Sequence, residues 1–490
     1  MTKVCDFRII GHDDRGTILV FWAVALAAIL ALVAVSFDLG QRASTQTELQ
    51  SYADQVALAA AGELDAKSDA ITRATNAAAD LISDTQTFAS GAKALAGSSN
   101  YTLTFFSTLP ASDTTALTSG TTTNPALAGY VRVVVTPRTV PFSFWAGVDA
   151  LSGTSTANPT ITASAVAGFT QYACDVTPMM FCLPSPTYKA NDHIGTMILL
   201  KAGGQGAAWG PGDFGFLDPS KVLVDPNGPC AGLNASKVDR CLIGAEGGLT
   251  QCFAQRGVDM EPGQKVGLES ALYNVRFDIY KSVMNSYQNT AAYAPAPNVI
   301  KGIIPQGAGQ TCIGNNTSPS DSVALPQDNC FATSTCANGN RVGDGVWSSA
   351  TTGRPNYVLK NYNGTDPFPS ANTRYKYYLA EIAAHGGAAS KSAILTGKKE
   401  TGRPICSANQ STDVDRRVII AAGIDCAANN IQGSATNVPV AEFFKFFLTE
   451  PVTGTGNANN IYAEIVGSAE GSSGAGTADG IFHDFVQLYR

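Results

Sequence analysis

A histidine beside an aspartate is the arrangement in this chain closest to acid–base chemistry. Asp192 precedes His193, and His483 precedes Asp484. Adjacent side chains on a strand point to opposite faces, so neither pair forms a site by itself. Nucleophilic catalysis also requires a positioned serine or cysteine. The four histidines are therefore expected in surface or structural positions, and the chain is predicted not to be an enzyme.

Two glycine-rich stretches and two acidic turns are the other candidates for ligand binding. The stretches 202–213 and 471–480 lack the lysine and the strand–turn–helix setting of a phosphate loop, so loops are predicted there. The segments 225–228 and 343–345 carry an incomplete set of calcium ligands and are interpreted as turns. No cofactor and no metal ion are expected.

Cysteine is unevenly distributed along the chain. Of the 11 cysteines, Cys5 precedes a long apolar run and the rest follow it. No CxxC pair occurs, which argues against zinc fingers and thioredoxin-type sites. An even set is typical of structural disulfides in exported proteins. The ten disulfide candidates are Cys174, Cys182, Cys230, Cys241, Cys252, Cys312, Cys330, Cys336, Cys406 and Cys426.

The spacing of these cysteines suggests local groups but leaves the connectivity open. Cys174 and Cys182 are close enough in sequence to close a small loop. Cys230, Cys241 and Cys252 are equally spaced and are expected in one loop-rich region.

The apolar run covers Thr17 to Phe37 and contains no charged residue. As a helix it is about 30 Å long, which matches the hydrocarbon core of a bilayer. A retained transmembrane helix is predicted. Ala34-Val35-Ser36 offers a small-x-small cleavage site, so removal as a secretory signal is the alternative.

Basic residues predict the orientation of this helix. Lys3, Arg8 and Arg15 precede the run, whereas Arg42 alone follows it closely. By the positive-inside rule the N-terminus stays cytoplasmic and the chain after Asp38 is exported. The even cysteine set on the exported side agrees with this topology.

Composition limits the class of protein and its partners. The length of 490 residues suggests two or more folded units. A net charge of −7 without a basic face argues against nucleic acid as a partner. With 14% charged residues, 48 Gly and 24 Pro, the composition is typical of an exported, β-rich and loop-rich protein.

Hydrophobic periodicity divides the first 170 residues into a helical part and a β part. Helix is predicted to continue from Asp38 to about Asp84, with a possible break at Gly62 and a cap at Ser68-Asp69. An apolar stripe of small residues runs along it, formed by Ala53, Val56, Ala57, Ala60 and Leu64. The stripe fits either an ordinary packing face or a surface for close helix approach inside a membrane complex. Strands are predicted at 101–106, 130–137, 139–145 and 160–169.

Residues 171–490 are predicted to form a mixed α+β domain in which disulfides secure long loops. A helical spacing covers 268–287. The four phenylalanines of "AEFFKFFL" (441–448) are interpreted as buried core. Strand-like segments are 194–203, 357–362, 416–424 and 460–470.

The N-terminal segment carries a family resemblance. Arg15-Gly16 precedes the apolar run, Asp38-Leu39-Gly40 follows it, and Leu49-Gln50 with Ala53-Asp54 leads into an alanine-rich helix. This arrangement resembles the N-terminal module of the TadE/TadG-like proteins of the Flp (Tad) pilus-assembly system. Further segments are similar to the β region of that family or to longer TadG-related proteins, namely 135–148, 161–168, 174–184, 212–219, 416–426 and 438–451.

The resemblance implies an inner-membrane protein with a large periplasmic part that helps to initiate, anchor or guide a thin pilus. The partners implied are TadE-like and TadF-like pseudopilins, the Flp pilin, the inner-membrane platform and the lipid bilayer. Prepilin-like members are cut after a glycine, which makes Gly16 and Thr17 the possible processing site. Phe21 stands where such members carry glutamate, which argues against processing.

A second departure concerns metal binding. Many TadG proteins contain a von Willebrand factor A domain with an Asp-x-Ser-x-Ser motif, and this sequence has no such pentad. A metal-dependent adhesion site is therefore not expected.

The predicted fold class is α+β, with a transmembrane helix continuing into a periplasmic helix. The predicted domains are a cytoplasmic N-terminus (1–16), the transmembrane helix (17–37), a helix-plus-β module (38–170) and a disulfide-containing periplasmic domain (171–490). The leading functional hypothesis is a non-enzymatic structural component of Flp pilus assembly. The alternatives are a membrane-anchored extracytoplasmic binding protein or adhesin, and an anchored hydrolase, which requires a convergent acid, base and nucleophile.

Overall fold

The computed structural model has a mixed α+β fold and divides into two compact units. These are Met1–Thr170 with Phe485–Arg490, and Gln171–Asp484. The last residues of the chain, Phe485–Arg490, thus belong to the first unit. The structure describes residues 15–110, 112, 114–145, 149, 153, 155–174, 176–204, 206–218, 232, 241–245, 252–254, 257–261, 268–297, 299, 324–390, 407–453, 459–469 and 482–489.

The first unit is built on one long helix. Helix α1 covers Arg15–Ala61, and its 47 residues continue from the apolar run into the small-residue stripe without a break. Helix α2 covers Ala70–Asp80. The guanidinium of Arg73 forms ion pairs with Glu63, Asp65 and Asp69 and so secures the connection between the helices.

Short antiparallel strands complete the first unit. Strands β3, β4 and β7 form its main sheet, with Tyr101 opposite Val135 and Tyr130 opposite Gly168. The small pairs β1–β2 and β5–β6 lie outside that sheet. The strands are β1 (Ser83–Thr85), β2 (Ala94–Ala96), β3 (Tyr101–Phe106), β4 (Tyr130–Val135), β5 (Arg138–Thr139), β6 (Thr160–Ile161) and β7 (Ser164–Cys174).

The core of the first unit lies between α1 and this sheet. The stripe predicted from Ala53 to Leu64 is fully buried, as its three- and four-residue spacing indicated. Val131 and Val133 of β4 and Ala165 of β7 belong to the same hydrophobic cluster. Alanine on the helix allows its backbone to lie close to the valine face of the sheet.

One predicted strand of this unit is wrong. The segment 139–145 does not extend beyond β5, which ends at Thr139. The backbone N–H groups of 143–145 turn toward a carboxylate on α1 instead, so an interaction distant in sequence overrides the β-propensity of "TVPFSFW".

A closed six-stranded barrel forms the centre of the second unit, in the order β10-β8-β13-β15-β16-β9. Pairing is antiparallel except between β8 and β13 and between β9 and β10. The barrel strands are β8 (Met179–Cys182), β9 (Met197–Ala202), β10 (Asp213–Phe216), β13 (Val418–Ile424), β15 (Glu442–Leu448) and β16 (Ile461–Ser468). Outside the barrel, β12 (Val258–Met260) pairs with β14 (Ala435–Val438), and β11 (Cys252–Ala254) pairs with β7. The last strand of the chain, β17 (Phe482–Leu488), pairs with β7, and its residues from Phe485 onward belong to the first unit.

Both faces of β15 are buried. Phe444 and Phe446 belong to the largest core cluster, Phe443 lies in a second cluster and Phe447 in a third. All four side chains are 0% exposed, which confirms the prediction that "AEFFKFFL" is core. The ring of Phe181 on β8 makes edge contacts with both Phe444 and Phe446 at 5.0 Å.

Short helices cover the barrel, and two of them differ from the sequence predictions. Residues 357–362 are helical rather than extended, because Pro355 at the start of helix α6 (Arg354–Tyr362) favours a helix and Tyr357 and Val358 bury one side of it. The helix predicted over 268–287 stops after α3 and 3₁₀ turns follow, with Asp278 in the left-handed region. The helices are α3 (Leu268–Tyr273), α4 (Asn329–Thr333), α5 (Ala337–Asn340), α6 (Arg354–Tyr362) and α7 (Arg374–Ala384).

A buried ionic network joins α7 to the barrel. Arg374 is 0% exposed and forms ion pairs with Asp328 and Glu464. The guanidinium also donates to the carbonyls of Pro326 and Gly195. Burial raises the pKa of Glu464, and the charge of Arg374 and two backbone N–H groups oppose that shift.

Disulfides with both partners among the described residues join predicted cysteines in two places. Cys182 pairs with Cys426 and Cys330 with Cys336. The small loop suggested by the spacing of Cys174 and Cys182 is therefore wrong, because the parallel pairing of β8 with β13 brings Cys182 beside the end of β13.

The other cysteine candidates are only partly described. Cys174 and Cys241 are each disulfide-bonded. Cys174 lies opposite Cys252 in the register of β7 and β11, whereas the side chain of Cys252 and all of Cys230, Cys312 and Cys406 lie outside the described residues.

Replacing Arg374 tests the buried network. Arg374→Met leaves two buried carboxylates without their cation, and breaking a buried pair in this way costs about 3–5 kcal/mol. Lys376→Met on the exposed side of the same helix is the control. Urea unfolding of the detergent-solubilised protein, followed by tryptophan fluorescence, should show a lower midpoint for the first variant alone. Equal midpoints would contradict the structural role of the network.

The disulfides Cys182–Cys426 and Cys330–Cys336 close loops of very different length, with sequence separations of 244 and 6 residues. The chain-entropy model assigns about 5 kcal/mol to the long loop and about 2 kcal/mol to the short one. The pair Cys182→Ala/Cys426→Ala should therefore lower the unfolding midpoint more than Cys330→Ala/Cys336→Ala. The reverse order in the same denaturation assay would refute this ranking.

Candidate functional site

The described histidines are engaged in structural contacts. The ring of His193 stacks on Tyr188 with a centroid separation of 3.8 Å. The Nδ1 atom of His385 lies 2.9 Å from the carbonyl oxygen of Glu381 on the same helix. These two histidines are on different elements and do not meet. The side chain of His483 lies outside the described residues.

The acidic turns and clusters do not assemble a metal site within the described part of the chain. Over those residues, no three His, Cys, Asp or Glu side chains converge in a way that could hold an ion. Asp344 of the turn 343–345 accepts a hydrogen bond from the backbone N–H of Val346, which is ordinary turn geometry. The turn 225–228 lies outside the described residues.

The feature that stands out is the first half of α1. From Ile18 onward this helix is long and apolar enough to cross a membrane, and its most apolar stretch is not buried against the rest of the protein. Large side chains point away from the fold on every side: Leu19 is 73% exposed, Phe21 70% and Trp22 65%. A helix that is hydrophobic all round, with no protein partner, is typical of a membrane segment.

The exposed part of α1 ends at one buried carboxylate. Asp38 is 2% exposed, although it follows directly on the half-exposed Phe37. Its carboxylate accepts backbone hydrogen bonds from Ser143 at 3.0 Å, Phe144 at 3.1 Å and Trp145 at 2.7 Å. We call this arrangement the Asp38 clamp.

The clamp has a clear electrostatic basis. A buried charge is costly unless hydrogen bonds replace its hydration, and three converging N–H groups do so. Charge-assisted bonds of this kind are about twice as strong as neutral ones. The clamp therefore joins α1 to a loop more than a hundred residues away in sequence.

The later motif residues Leu49, Gln50 and Ala53 face the sheet. Leu49 and Ala53 are fully buried in the core. The side-chain amide of Gln50 donates to the carbonyl of Ser164 at the start of β7 and to the carboxylate of Asp54. The motif therefore combines residues that pack α1 on the sheet with residues that satisfy the backbone of β7.

Residues of the motif that make neither kind of contact are exposed. Leu39 is 54% exposed, and no atom lies within 4 Å of a Cβ built on Gly40. The possible processing site, Gly16 and Thr17, has its backbone in α1, and the side chains there lie outside the described residues.

Sequence reasoning missed the partner of Asp38. The high β-propensity of the segment containing Phe142, Phe144 and Trp145 predicts a strand there. The signal that points elsewhere is Pro141, because proline cannot donate to a β ladder and so interrupts a strand. The pattern does not reveal which carboxylate would bind the freed N–H groups.

Removing the carboxylate of Asp38 should loosen this loop. Asp38→Ala leaves three backbone N–H groups without an acceptor, at a cost of about 1–3 kcal/mol. Hydrogen–deuterium exchange of the 143–145 amides in detergent micelles should then accelerate by about tenfold or more. Asp80→Ala, which removes an exposed carboxylate from the same unit, should leave exchange unchanged. Identical protection in the wild-type protein and Asp38→Ala would rule out the clamp.

Comparison with known protein families matches the part of the chain that forms most of α1. No curated protein and no solved structure matches the chain. Residues 16–63 match the family model described as putative Flp pilus-assembly TadE/G-like, which confirms the predicted resemblance over the apolar segment of α1, Asp38 and the helix face that packs on the sheet.

Proposed function

We propose that this chain is a non-enzymatic, single-pass assembly component of a Flp pilus machinery. One observation carries the proposal: the segment that matches the pilus-assembly family is a helix whose first half is exposed and apolar and whose second half forms the core of a folded unit. Such a helix anchors a folded unit at a fixed distance from a bilayer. Its role is to initiate or anchor pilus assembly from the inner membrane.

The orientation proposed places the N-terminus in the cytoplasm and both folded units in the periplasm. Lys3, Arg8 and Arg15 before the span support it, since cytoplasmic flanks carry the excess of basic residues. The disulfides Cys182–Cys426 and Cys330–Cys336 support it as well, since such bonds persist in an oxidising compartment. The partners proposed are TadE-like and TadF-like pseudopilins, the Flp pilin and the inner-membrane platform.

Complementation of a deletion strain tests the proposal. Deleting the gene should abolish or sharply reduce surface pili, and the wild-type chain should restore them. The variant Leu26→Asp/Leu30→Asp places two charges in the exposed part of α1, and each charge costs about 2.5–3.5 kcal/mol for membrane insertion. This variant should leave the membrane fraction on alkaline extraction and fail to restore pili.

The matched control is Leu26→Ala/Leu30→Ala, which shortens the same side chains without adding charge. It should stay in the membrane and restore pili. Undiminished piliation in the deletion strain would refute the assembly role. Release of the wild-type protein by alkaline extraction would refute the anchor.

A further inference from the structure

The loop that binds Asp38 presents aromatic side chains beside the end of the apolar helix. We call Phe142–Trp145 the aromatic loop. Phe144 is 50% exposed and makes an edge contact at 5.2 Å with Phe37, which is 49% exposed. The rings of Phe142 and Trp145 lie 5.9 Å apart within the loop. Phe37 and Phe144 thus join the exposed apolar surface of α1 to the loop.

The aromatic loop is fixed in place by hydrogen bonds at both ends. The backbone N–H of Phe142 donates to Asn158, and the indole Nε1 of Trp145 donates to the hydroxyl of Thr156. The same threonine is bound by Asp149 through its N–H and its hydroxyl. Because the loop is already ordered, its exposed rings can enter a new environment with little further loss of conformational entropy.

The length of the uncharged run determines the depth at which the aromatic loop lies relative to a bilayer. Asp38 follows the last residue of the uncharged run, and that run spans about 30 Å as a helix. When the run fills the hydrocarbon core, Asp38 therefore lies at the boundary between the core and the headgroups. The aromatic loop is hydrogen-bonded to Asp38 and must lie at the same level.

We infer that the aromatic loop is a second membrane contact, in which Phe144 and Trp145 enter the interfacial region of the bilayer where α1 leaves it. Aromatic rings are enriched at this depth because the interface accepts both their apolar faces and their polar groups. The occupant of this surface is thus lipid, as its continuity with the exposed apolar face of α1 indicates. The inference rests on the membrane-anchoring part of the proposed function.

Two points of attachment have a mechanical consequence. A single helix can tilt and rotate in a bilayer, since interfacial anchors and packing determine its tilt. A loop joined rigidly to α1 and seated in the same interface restricts both motions. The first unit is then held in one orientation relative to the membrane plane.

Quenching of tryptophan by brominated lipids tests the inference. The full-length Trp22→Phe variant is reconstituted into phosphatidylcholine vesicles, with lipids brominated either close to the headgroup or deep in the chains. Trp209 and Trp347 are only 9% and 7% exposed, so they should contribute little quenching. Trp145 should be quenched, at least twofold more strongly by the shallow bromines than by the deep ones.

Two further variants assign the signal. Adding Trp145→Phe to the Trp22→Phe background should remove the quenching. Adding Phe144→Ser should reduce it by half or more, because a polar side chain weakens insertion of the loop while the clamp to Asp38 uses only backbone groups at that position.

Two separate measurements distinguish failure of the loop contact from failure of the membrane anchor in the proposed function. Vesicle flotation reports the anchor independently of fluorescence. If the protein floats with the vesicles and Trp145 is not quenched, the anchor stands and the loop contact is overturned, which leaves a protein partner as the occupant of the aromatic surface. If the protein does not float, both the anchor and the loop contact are overturned.

Discussion

The carboxylate of Asp38 is the point at which α1 changes its surroundings, and the organisation of the first unit depends on it. Before Asp38 the helix is apolar on every side and touches little of the protein, whereas after it one face is buried in the core. A charge at this boundary stops the uncharged run, and the N–H groups of Ser143, Phe144 and Trp145 satisfy it. One residue therefore limits the apolar segment and joins that segment to the folded unit.

The part of α1 after Asp38 packs against the sheet and so connects the apolar segment to it. Small side chains such as Ala53 and Ala57 let the helix lie close to β4, and Gln50 donates to the start of β7. Continuous helix between the apolar segment and the core leaves no flexible linker between them. Orientation of the apolar segment and orientation of the first unit are thus coupled.

The second unit is stabilised by different means. Its barrel closes on itself, so its six strands leave no open edge of the kind that promotes aggregation. Buried arginines supply polar cohesion: Arg417 donates to the carbonyls of Leu448 and Thr449 while its guanidinium lies 4.9 Å from the ring centre of Phe447. Each buried guanidinium group requires hydrogen-bond acceptors at fixed positions. These contacts therefore favour one arrangement of the segments that cover the barrel over alternative arrangements.

The hydrophobic periodicity of the sequence was enough to determine several elements by itself. These are the apolar run, the alanine stripe of α1, and strands such as Tyr101–Phe106 and Val418–Ile424. It failed where a distant partner decides the conformation. Residues 139–145 bend because Asp38 binds their N–H groups, and Cys182 pairs with Cys426 because β8 lies parallel to β13. Hydrophobic periodicity is a property of neighbouring residues and can be read from the sequence, whereas hydrogen-bond acceptors and disulfide partners are selected only when the chain has brought remote segments together.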